Sequence, residues 1–309
     1  MNLKKHIALN LPRFLKAKVF FRLKPRHLTF EVTNVCNLKC PLCPTTIQTR
    51  EKGFLKFENF KKVIDEVKHE IKSISFYILG EPLLNKELFD MVKYANSLGI
   101  ETSFSTNNEL IKKYLDDIFD SGLSKIQVVL DGLNKEDHER YRVGGNFENS
   151  LESIRLLSER KKELNSVKPY IHLQTLLFKY NVGKEDEFKE VATKLGVDGI
   201  SIKKITLGRD EAKEKKYKDE FLPEEKSMQR FGSLLYKNAK VCPQIIRTAT
   251  VLWNGDLVAC CYDSNGRDVL GNVVKDGFWN VFYGKQRKSS IKNIIYHTNK
   301  ICVNCDGAE

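Results

Sequence analysis

Several features that define whole classes of protein are missing from this sequence. The 309 residues contain no long apolar run, whereas a transmembrane helix needs about 20 consecutive apolar residues. Proline and glycine, at 8 and 18 residues, are too few for a low-complexity or disordered chain. The first residues are basic, without a continuous apolar segment or a small-residue cleavage site, so we expect no secretory signal and a cytoplasmic location.

Cysteine is absent between positions 43 and 242, and this gap divides the cysteines into two groups. The eight are Cys36, Cys40 and Cys43 near the start, and Cys242, Cys260, Cys261, Cys302 and Cys305 near the end. Evenly paired disulfides do not cluster in this way. In a chain without a secretory signal, short cysteine spacings indicate metal or cluster ligands.

Acidic residues are absent from positions 1–26, which we treat as a separate basic segment. Its helical spacing predicts either a helix that covers one end of the barrel described below or one that binds a membrane surface. The whole chain has a net charge of +12, which suits an acidic partner. Charges of both signs mix along the other predicted helices, as on solvated faces. We recognise no RNA-binding module and expect no DNA partner.

Strand-like and helix-like segments alternate six times between positions 27 and 204. This pattern is typical of parallel βαβ units in an α/β protein. A closed barrel needs eight units, so six predict a partial (β/α)6 barrel or an open parallel sheet. Ligands of such folds lie at the carboxyl ends of the strands. Turn-forming, polar and cysteine residues collect there: the first cysteine group, Gly80-Glu81-Pro82, Thr106-Asn107-Asn108 and Asp131-Gly132.

The composition changes after the barrel-like region. Positions 208–239 are rich in lysine and glutamate and are predicted to be a linker. Beyond it, two β-rich runs flank Asn254-Gly255, which is a strong hairpin signal, and a helix is predicted over 278–293. We therefore expect a barrel at 27–207 and a small hairpin-plus-helix domain at 240–309.

The first cysteine group has the spacing Cys36-x3-Cys40-x2-Cys43. A structural zinc site needs four ligands, and this loop offers three. Three thiolates favour a [4Fe–4S] cluster in which one iron has no protein ligand and can bind another molecule. The alternative is a zinc site completed by His27 or by a distant cysteine.

The stretch TNVCNLKCPLCP, followed by LGEP, STNN and LDG, resembles the radical SAM superfamily over about 28–204. The resemblance implies that the three cysteines hold a [4Fe–4S] cluster and that S-adenosylmethionine (SAM) binds its open iron. Reductive cleavage of SAM then gives a 5′-deoxyadenosyl radical that abstracts hydrogen from a substrate. The implied cofactor-binding residues are Gly80, Glu81 and Pro82 at the methionine amino group, Thr106 and Asn107 beside the ribose, and Arg142 near the carboxylate.

The second cysteine group resembles that of the twitch domain, a shortened relative of the SPASM domain. WNGDLVACC, LGNV and FWNVFYGKQR carry this resemblance. It implies one auxiliary [4Fe–4S] cluster that transfers electrons, with a four-thiolate zinc site as the alternative. The expected ligands are Cys242, Cys260, Cys302 and Cys305. Neighbouring residues of a strand face opposite sides, so Cys261 is left either as a buried apolar residue or as a hydrogen-atom donor to a substrate radical.

These features together predict a radical SAM oxidoreductase or epimerase that acts on a carbohydrate-like or other small molecule. We expect an external one-electron donor such as flavodoxin or ferredoxin. The alternatives are a peptide maturase, an RNA-modifying enzyme and a non-catalytic zinc or iron–sulfur protein. The sequence identifies no general base, although His172, Gln174 and Lys203 are candidates on the fifth and sixth strands.

Overall fold

A nine-stranded sheet organises the computed structural model, which describes residues 12–205, 217, 219–225, 248–296 and 298–302. The strands are β1 (His27–Phe30), β2 (Ser73–Ser75), β3 (Glu101–Ser105), β4 (Lys125–Val129), β5 (Tyr170–Leu177), β6 (Gly199–Lys204), β7 (Thr248–Val251), β8 (Asp256–Val258) and β9 (Val269–Asn272). Their order across the sheet is β6-β5-β4-β3-β2-β1-β7-β8-β9, so the sheet is open, with β6 and β9 at its edges.

The first six strands are parallel and neighbour one another in chain order, which confirms the prediction of a partial barrel rather than a closed one. The C-terminal strands extend the same sheet. β7 pairs in parallel with β1, with His27 opposite Thr248 and Phe30 opposite Val251, and β8 and β9 follow as antiparallel strands. The sequence analysis did not anticipate the β1–β7 pairing. It places the C-terminal hairpin beside the strand that leads into the first cysteine group.

Ten α-helices lie in the described ranges, and none of these is both long and apolar enough to cross a membrane. They are α1 (Arg13–Arg22), α2 (Phe57–Val67), α3 (Leu88–Ser97), α4 (Leu115–Asp120), α5 (Lys135–Tyr141), α6 (Phe147–Glu163), α7 (Glu185–Leu195), α8 (Val273–Asp276), α9 (Phe278–Phe282) and α10 (Lys285–Ile295). The single helix predicted over 278–293 is in fact two, because Gly284 separates α9 from α10 with an extended backbone.

One face of the sheet is apolar and is covered by helices. Helix α2 buries Phe60, Val63, Ile64 and Val67, which are the positions i, i+3, i+4 and i+7 of an amphipathic helix. Phe60 packs edge-on against Phe30 of β1, with ring centroids 5.0 Å apart. This contact fixes α2 over the strand that precedes the first cysteine group.

The opposite face of the sheet is polar. Side chains alternate along each strand, so the residues between the apolar ones face away from the helices. Neighbouring strands are linked on this face by hydrogen bonds, including Ser75 to Ser103 at 3.0 Å and His172 to Ser201 at 2.9 Å. Gln174 lies toward the carboxyl end of β5 on the same face and is partly exposed. The sheet therefore offers a hydrogen-bonding surface that ends at the cysteine loop.

The N-terminal helix α1 packs against α10. Phe20 of α1 is only 1% exposed and lies in an apolar cluster with Ile291 and Cys302. Arg287 of α10 donates from Nη1 to the carbonyl oxygen of Phe21 at 3.2 Å. The prediction of a helix over one end of the barrel is thus only partly met, because α1 forms a helix but packs against α10 of the C-terminal region. Residues 1–11 of the basic segment lie outside the described ranges.

Candidate functional site

The first cysteine group lies in the loop after β1, at the carboxyl edge of the parallel strands. Cys40 is buried, whereas Cys36 and Cys43 are partly exposed, and none of the three forms a disulfide. Burial raises the pKa of the Cys40 thiol to about 11, and the neighbouring thiols of Cys43 and Cys36 contribute to the rise. A positive partner would favour ionisation of the buried Cys40 thiol beside two other sulfur atoms. That donor set fits an iron–sulfur cluster.

Hydrogen-bond donors surround the sulfur atoms. The Leu38 amide donates to Cys36 Sγ at 3.4 Å, and Asn107 Nδ2 lies 3.8 Å from the same sulfur. Arg142 Nη1 lies 4.0 Å from Cys40 Sγ and opposes the rise in its pKa. Donors to thiolate sulfur stabilise its negative charge and tune a bound cluster. Across the described residues, no three His, Cys, Asp or Glu side chains have the spacing to bind a single metal ion.

Glu81 joins the Gly-Glu-Pro loop to the loop after β3. Its carboxylate accepts hydrogen bonds from the Leu83 amide at 3.1 Å, from Thr106 Oγ1 at 2.8 Å and from the Asn107 amide at 2.7 Å. The side chain is 1% exposed, and burial raises its pKa to about 7 despite these donors. The Glu81 carboxylate therefore holds Thr106 and Asn107 in place, and Asn107 in turn reaches Cys36.

Gly80 packs where no side chain fits. Its φ of +73° is in the left-handed region, and an added Cβ would lie 2.5 Å from the carbonyl oxygen of Thr33 and 2.7 Å from that of Val35. Its amide donates to Thr45 Oγ1 at 3.2 Å, and Thr45 Oγ1 also accepts from the Cys43 thiol at 3.3 Å. The Gly-Glu-Pro loop therefore closes directly against the cysteine loop.

Arg142 is held beside Cys40 by a buried ion pair. Its Nε and Nη2 lie 2.6 and 2.5 Å from Asp131 Oδ2, and the Asp131 side chain is fully buried. The second carboxylate oxygen accepts from the Leu176 amide at 2.8 Å. Although burial opposes the charge, Asp131 beside the guanidinium raises the pKa of Arg142. Arg142 is therefore a fixed cation at the edge of the cysteine loop.

His138 packs beneath this pair. Its Nδ1 accepts from the Asp131 amide at 3.2 Å, and its ring is 1% exposed. Burial lowers the pKa of His138 to about 4. The imidazole is consequently neutral at physiological pH and supports the turn that carries Asp131.

The predicted linker contributes to the site. Its described residue Phe221 is fully buried and packs against Phe178 and Tyr141, with centroids 5.8 Å away in each case. This aromatic cluster also contacts Cys40. Most of the linker predicted over 208–239 lies outside the described residues. Within it, the structure describes 217 and 219–225.

Two of the predicted auxiliary ligands, Cys260 and Cys302, lie in segments that are fastened together. Asp268 Oδ2 accepts from Ser290 Oγ at 2.6 Å and from Asn299 Nδ2 at 2.7 Å, which ties the turn after Cys260 to the segment before Cys302. The Tyr262 amide donates to Cys260 Sγ at 3.4 Å. The other two predicted ligands, Cys242 and Cys305, lie outside the described residues.

The argument from strand alternation for Cys261 was wrong in its premise. Strand β8 ends at Val258, and both Cys260 and Cys261 lie in the turn that follows it. Side chains do not alternate regularly in a turn, so the backbone does not assign these two cysteines to opposite faces. The role of Cys261 remains a prediction.

A second buried ion pair joins the cysteine loop to the C-terminal region, and the sequence analysis missed it. Arg50 donates to Glu31 through Nη1 at 3.0 Å and Nη2 at 2.5 Å. The same guanidinium donates from Nε to the carbonyl oxygen of Ser264 at 2.8 Å. The Trp253 amide also donates to Glu31 at 3.3 Å. The signal in the sequence that could have indicated this ion pair is an acidic residue, Glu31, directly after β1.

Sequence comparison agrees with this arrangement. Residues 30–176 match the Radical SAM superfamily, and residues 242–306 match an iron–sulfur cluster-binding domain, SPASM. The chain is 30% identical over 175 residues to AdoMet-dependent heme synthase of Methanosarcina barkeri, covering 56% of this chain and 48% of that protein. It is 27% identical over 176 residues to mycofactocin maturase MftC of Mycolicibacterium smegmatis, covering 56% of this chain and 43% of that protein. The chain therefore aligns with about half the length of these relatives.

Solved structures share the fold at low sequence identity. SuiB of Streptococcus suis bound to S-adenosylmethionine superposes with a TM-score of 0.70 at 15% identity, covering 96% of this chain and 76% of SuiB. BtrN in complex with AdoMet and 2-DOIA superposes with a TM-score of 0.55 at 17% identity, covering 91% of this chain and 93% of BtrN. The two domain matches imply a [4Fe–4S] cluster that works with SAM and an auxiliary iron–sulfur cluster. Residues 30–176 of the chain thus form a radical SAM domain, and residues 242–306 form a SPASM iron–sulfur cluster-binding domain.

Proposed function

We propose that this protein abstracts a hydrogen atom from a polar, hydroxyl-bearing small molecule and thereby starts its dehydrogenation or epimerisation. The observation that carries this proposal is the position of the cysteine loop, at the carboxyl end of a sheet whose polar face is lined by hydrogen-bonding side chains. In such folds, the ligand lies at that edge.

Each part of the cysteine loop has a distinct role in the proposal. Cys36, Cys40 and Cys43 would hold the SAM-binding [4Fe–4S] cluster, and the donors from Leu38, Asn107 and Arg142 would stabilise their sulfur charge. When bound and reduced by an external donor, the SAM-binding cluster would supply the electron that cleaves SAM to methionine and a 5′-deoxyadenosyl radical, and the auxiliary cluster would supply an acceptor for the electron that an oxidised substrate releases.

The remaining residues of the predicted SAM site act by position. Gly80 and Pro82 would present backbone to the methionine amino group, and Thr106 and Asn107, held by the Glu81 carboxylate, would lie beside the ribose. Arg142, held by Asp131, would face the SAM carboxylate as a fixed cation. Because their partners already hold them, these groups bind SAM with little ordering cost.

The polar face of the sheet supports a hydroxyl-bearing substrate. Ser75, Ser103, His172 and Ser201 lie on it and bond to one another across strands. The Gln174 side chain lies there as well and makes no hydrogen bond to another described residue. An amide without a partner can both donate to and accept from a substrate hydroxyl. We therefore assign Gln174 to substrate binding.

The auxiliary cluster would be held by Cys242, Cys260, Cys302 and Cys305 in the C-terminal domain at 240–309. Cys261, in the same turn as Cys260, decides between two net reactions. If its thiol returned a hydrogen atom to the substrate radical, the resulting thiyl radical would be restored by a proton and an electron from the external donor, and the enzyme would be an epimerase. Otherwise the substrate radical would lose a proton and pass an electron to the auxiliary cluster. Cys261→Ala would separate these outcomes, since an epimerase would lose its product while it still formed 5′-deoxyadenosine.

Anaerobic reconstitution tests the proposed function. We expect about eight iron atoms per chain, as two four-iron clusters require, and reductive cleavage of SAM to 5′-deoxyadenosine. Cys40→Ala should lose about half of the iron and all of the cleavage. A preparation that binds zinc alone and cleaves no SAM would instead support a non-catalytic metal protein.

A peptide maturase is the second candidate. MftC is named as a maturase, and SuiB, which shares the fold, has also been solved bound to the precursor peptide SuiA. Measuring the rate of 5′-deoxyadenosine formation in the presence of candidate polyols, amino sugars and peptides distinguishes the two. Stimulation by peptides alone would replace the small-molecule proposal.

A further inference from the structure

Helix α10 exposes a row of cations. Lys285, Lys288 and Lys292 are at positions i, i+3 and i+7, which share one side of a helix, and all three are exposed. Helix α10 contains no acidic residue, and no described residue forms an ion pair with these lysines. The opposite side of the helix is buried, including Ile291 and Ile294.

Helix α1 continues this basic surface. It packs on α10 and exposes Lys18 and Arg22, which are four residues apart and therefore also share a side. Helix α1 contains no acidic residue either, and neither cation forms an ion pair with a described residue. Two adjacent helices thus present five exposed cations without a nearby compensating carboxylate from either helix.

Other helices of the same chain pair their cations. On α6, Arg155 bonds to both Glu152 and Glu159, and on α7, Lys189 bonds to Asp186. A solvated helix face ordinarily mixes charges in this way. The exposed sides of α1 and α10, here called the α1–α10 surface, carry cations without acidic residues. Their composition therefore differs from that of the helices whose cations are paired, and the net charge of the whole chain is not the reason.

The residues beneath this surface include a predicted ligand of the auxiliary cluster. The buried sides of α1 and α10 meet in the apolar cluster that contains Phe20, Ile291 and Cys302. Cys302 is 7% exposed and lies in the iron–sulfur cluster-binding domain. Electrons that enter or leave an auxiliary cluster ligated by Cys302 would cross a short layer of protein under this surface.

We propose that the outer sides of α1 and α10 form the docking surface for an acidic one-electron carrier protein. The identity of the partner as a redox protein rests on the proposed function, whereas the acidic character rests on the charges alone. Complementary charge accelerates association and makes it sensitive to salt. A transient carrier needs fast binding and release, and a rim of exposed lysines supplies both.

The packing of α1 favours a protein over a membrane as the partner. A helix that lies in a membrane surface presents a large apolar face to the lipid. In α1, Phe20 is buried, and Phe21 packs edge-on against Tyr283 with centroids 5.8 Å apart. In α10, the isoleucines face inward. Among the side chains of α1 and α10 that the structure describes, every exposed one is charged or polar.

Binding of reconstituted protein to an acidic flavodoxin, to an acidic ferredoxin and to phosphatidylglycerol vesicles tests the proposal. The test variant is the triple substitution Lys285→Glu, Lys288→Glu and Lys292→Glu. The matched control is Lys112→Glu, Lys113→Glu and Lys194→Glu, which makes the same change in charge with exposed lysines on elements that follow β3 and β5, away from β7–β9.

We expect at least one carrier to bind, with the test variant raising the Kd about tenfold to hundredfold and the control leaving it within about threefold. The affinity of the unsubstituted protein should fall as salt rises, because exposed charges are screened. Three results would overturn the proposal: neither carrier binds, both triple variants weaken binding equally, or vesicles bind through this surface while carriers do not. SAM cleavage driven by dithionite, which needs no docking, reports separately on the proposed function.

Discussion

The ion pair between Arg50 and Glu31 gives the sharpest prediction about stability. Replacing Arg50 with methionine keeps much of the aliphatic length and removes every donor of the guanidinium. The Glu31 side chain is fully buried, and it would keep only the Trp253 amide, at 3.3 Å, as a donor. The bond from Arg50 to the Ser264 carbonyl oxygen would also be lost.

The expected cost follows from the charge that remains. Breaking a buried ion pair by removing one partner costs about 3–5 kcal/mol, because the other charge stays buried without compensation. Replacing both partners with apolar residues removes that charge, and such replacements are often neutral or stabilising. The double variant Glu31→Leu/Arg50→Met should therefore recover at least about 1–2 kcal/mol of the loss, even though the Trp253 amide loses its acceptor.

Anaerobic urea unfolding of the reconstituted protein measures both quantities. Trp253 is one of two tryptophans in the chain, and its indole donates to the Glu51 carbonyl oxygen at 3.2 Å. Tryptophan fluorescence therefore reports on the contact between the cysteine loop and the C-terminal region. The matched control is Arg155→Met. Arg155 also bonds to two carboxylates but is exposed, so its replacement should leave the unfolding midpoint nearly unchanged.

Two results would refute the reasoning. Arg50→Met could prove as stable as the Arg155→Met control, which would mean that water reaches the Glu31 carboxylate and solvates its charge. The double variant could prove no more stable than Arg50→Met, which would mean that packing and the Ser264 bond, not the charge of Glu31, account for the loss.

The other predictions concern pH, substrate binding and the closure of the cysteine loop. Because burial lowers the pKa of His138 from 6.5 to about 4, its stabilising effect is complete above pH 6.5 and is lost as the pH falls toward 4. Unfolding at pH 7.5 and 5 should show about 2 kcal/mol of this loss, out of about 3 kcal/mol over the full range, and His138→Gln should reduce the dependence. Gln174→Leu should raise the KM for substrate about threefold to tenfold, the value of one hydrogen bond, while SAM cleavage without substrate is unchanged. Gly80→Ala should lose iron on reconstitution, whereas Gly99→Ala, with nearly the same φ but no atom within 4 Å of the added Cβ, should retain it. Equal iron content in the two glycine variants would contradict the proposed clash.

The sequence was sufficient for the elements that depend on local pattern. The alternation of strand and helix, the partial sheet and the placement of the motifs at one edge all follow from periods of 2 and 3.6 residues and from parallel topology. Helix α5 was missed because it has only seven residues and buries just His138 and Tyr141, too few for a periodic signal.

What the sequence could not supply are pairings over long separations. Strand β7 pairs with β1 across more than two hundred positions, and no local property of Thr248–Val251 selects β1 over an edge position at β6. The same limit applies to Phe221, which stands with Leu222 in an otherwise charged segment. Its burial follows from contacts with Phe178 and Tyr141 that only the folded chain brings together.

The two buried ion pairs account for charged side chains buried in the loops at the carboxyl edge of the sheet. Both carboxylates lie just past strands, Glu31 immediately after β1 and Asp131 two residues after the end of β4, and each holds an arginine that reaches a different neighbour. Buried pairs contribute little net stability, but their directional bonds restrict where the two loops can lie. Arg50 sets the C-terminal turn against the cysteine loop, and Arg142 sets a positive charge beside Cys40. The pairs therefore fix positions at the site, and apolar replacements that matched them in stability would not match them in geometry.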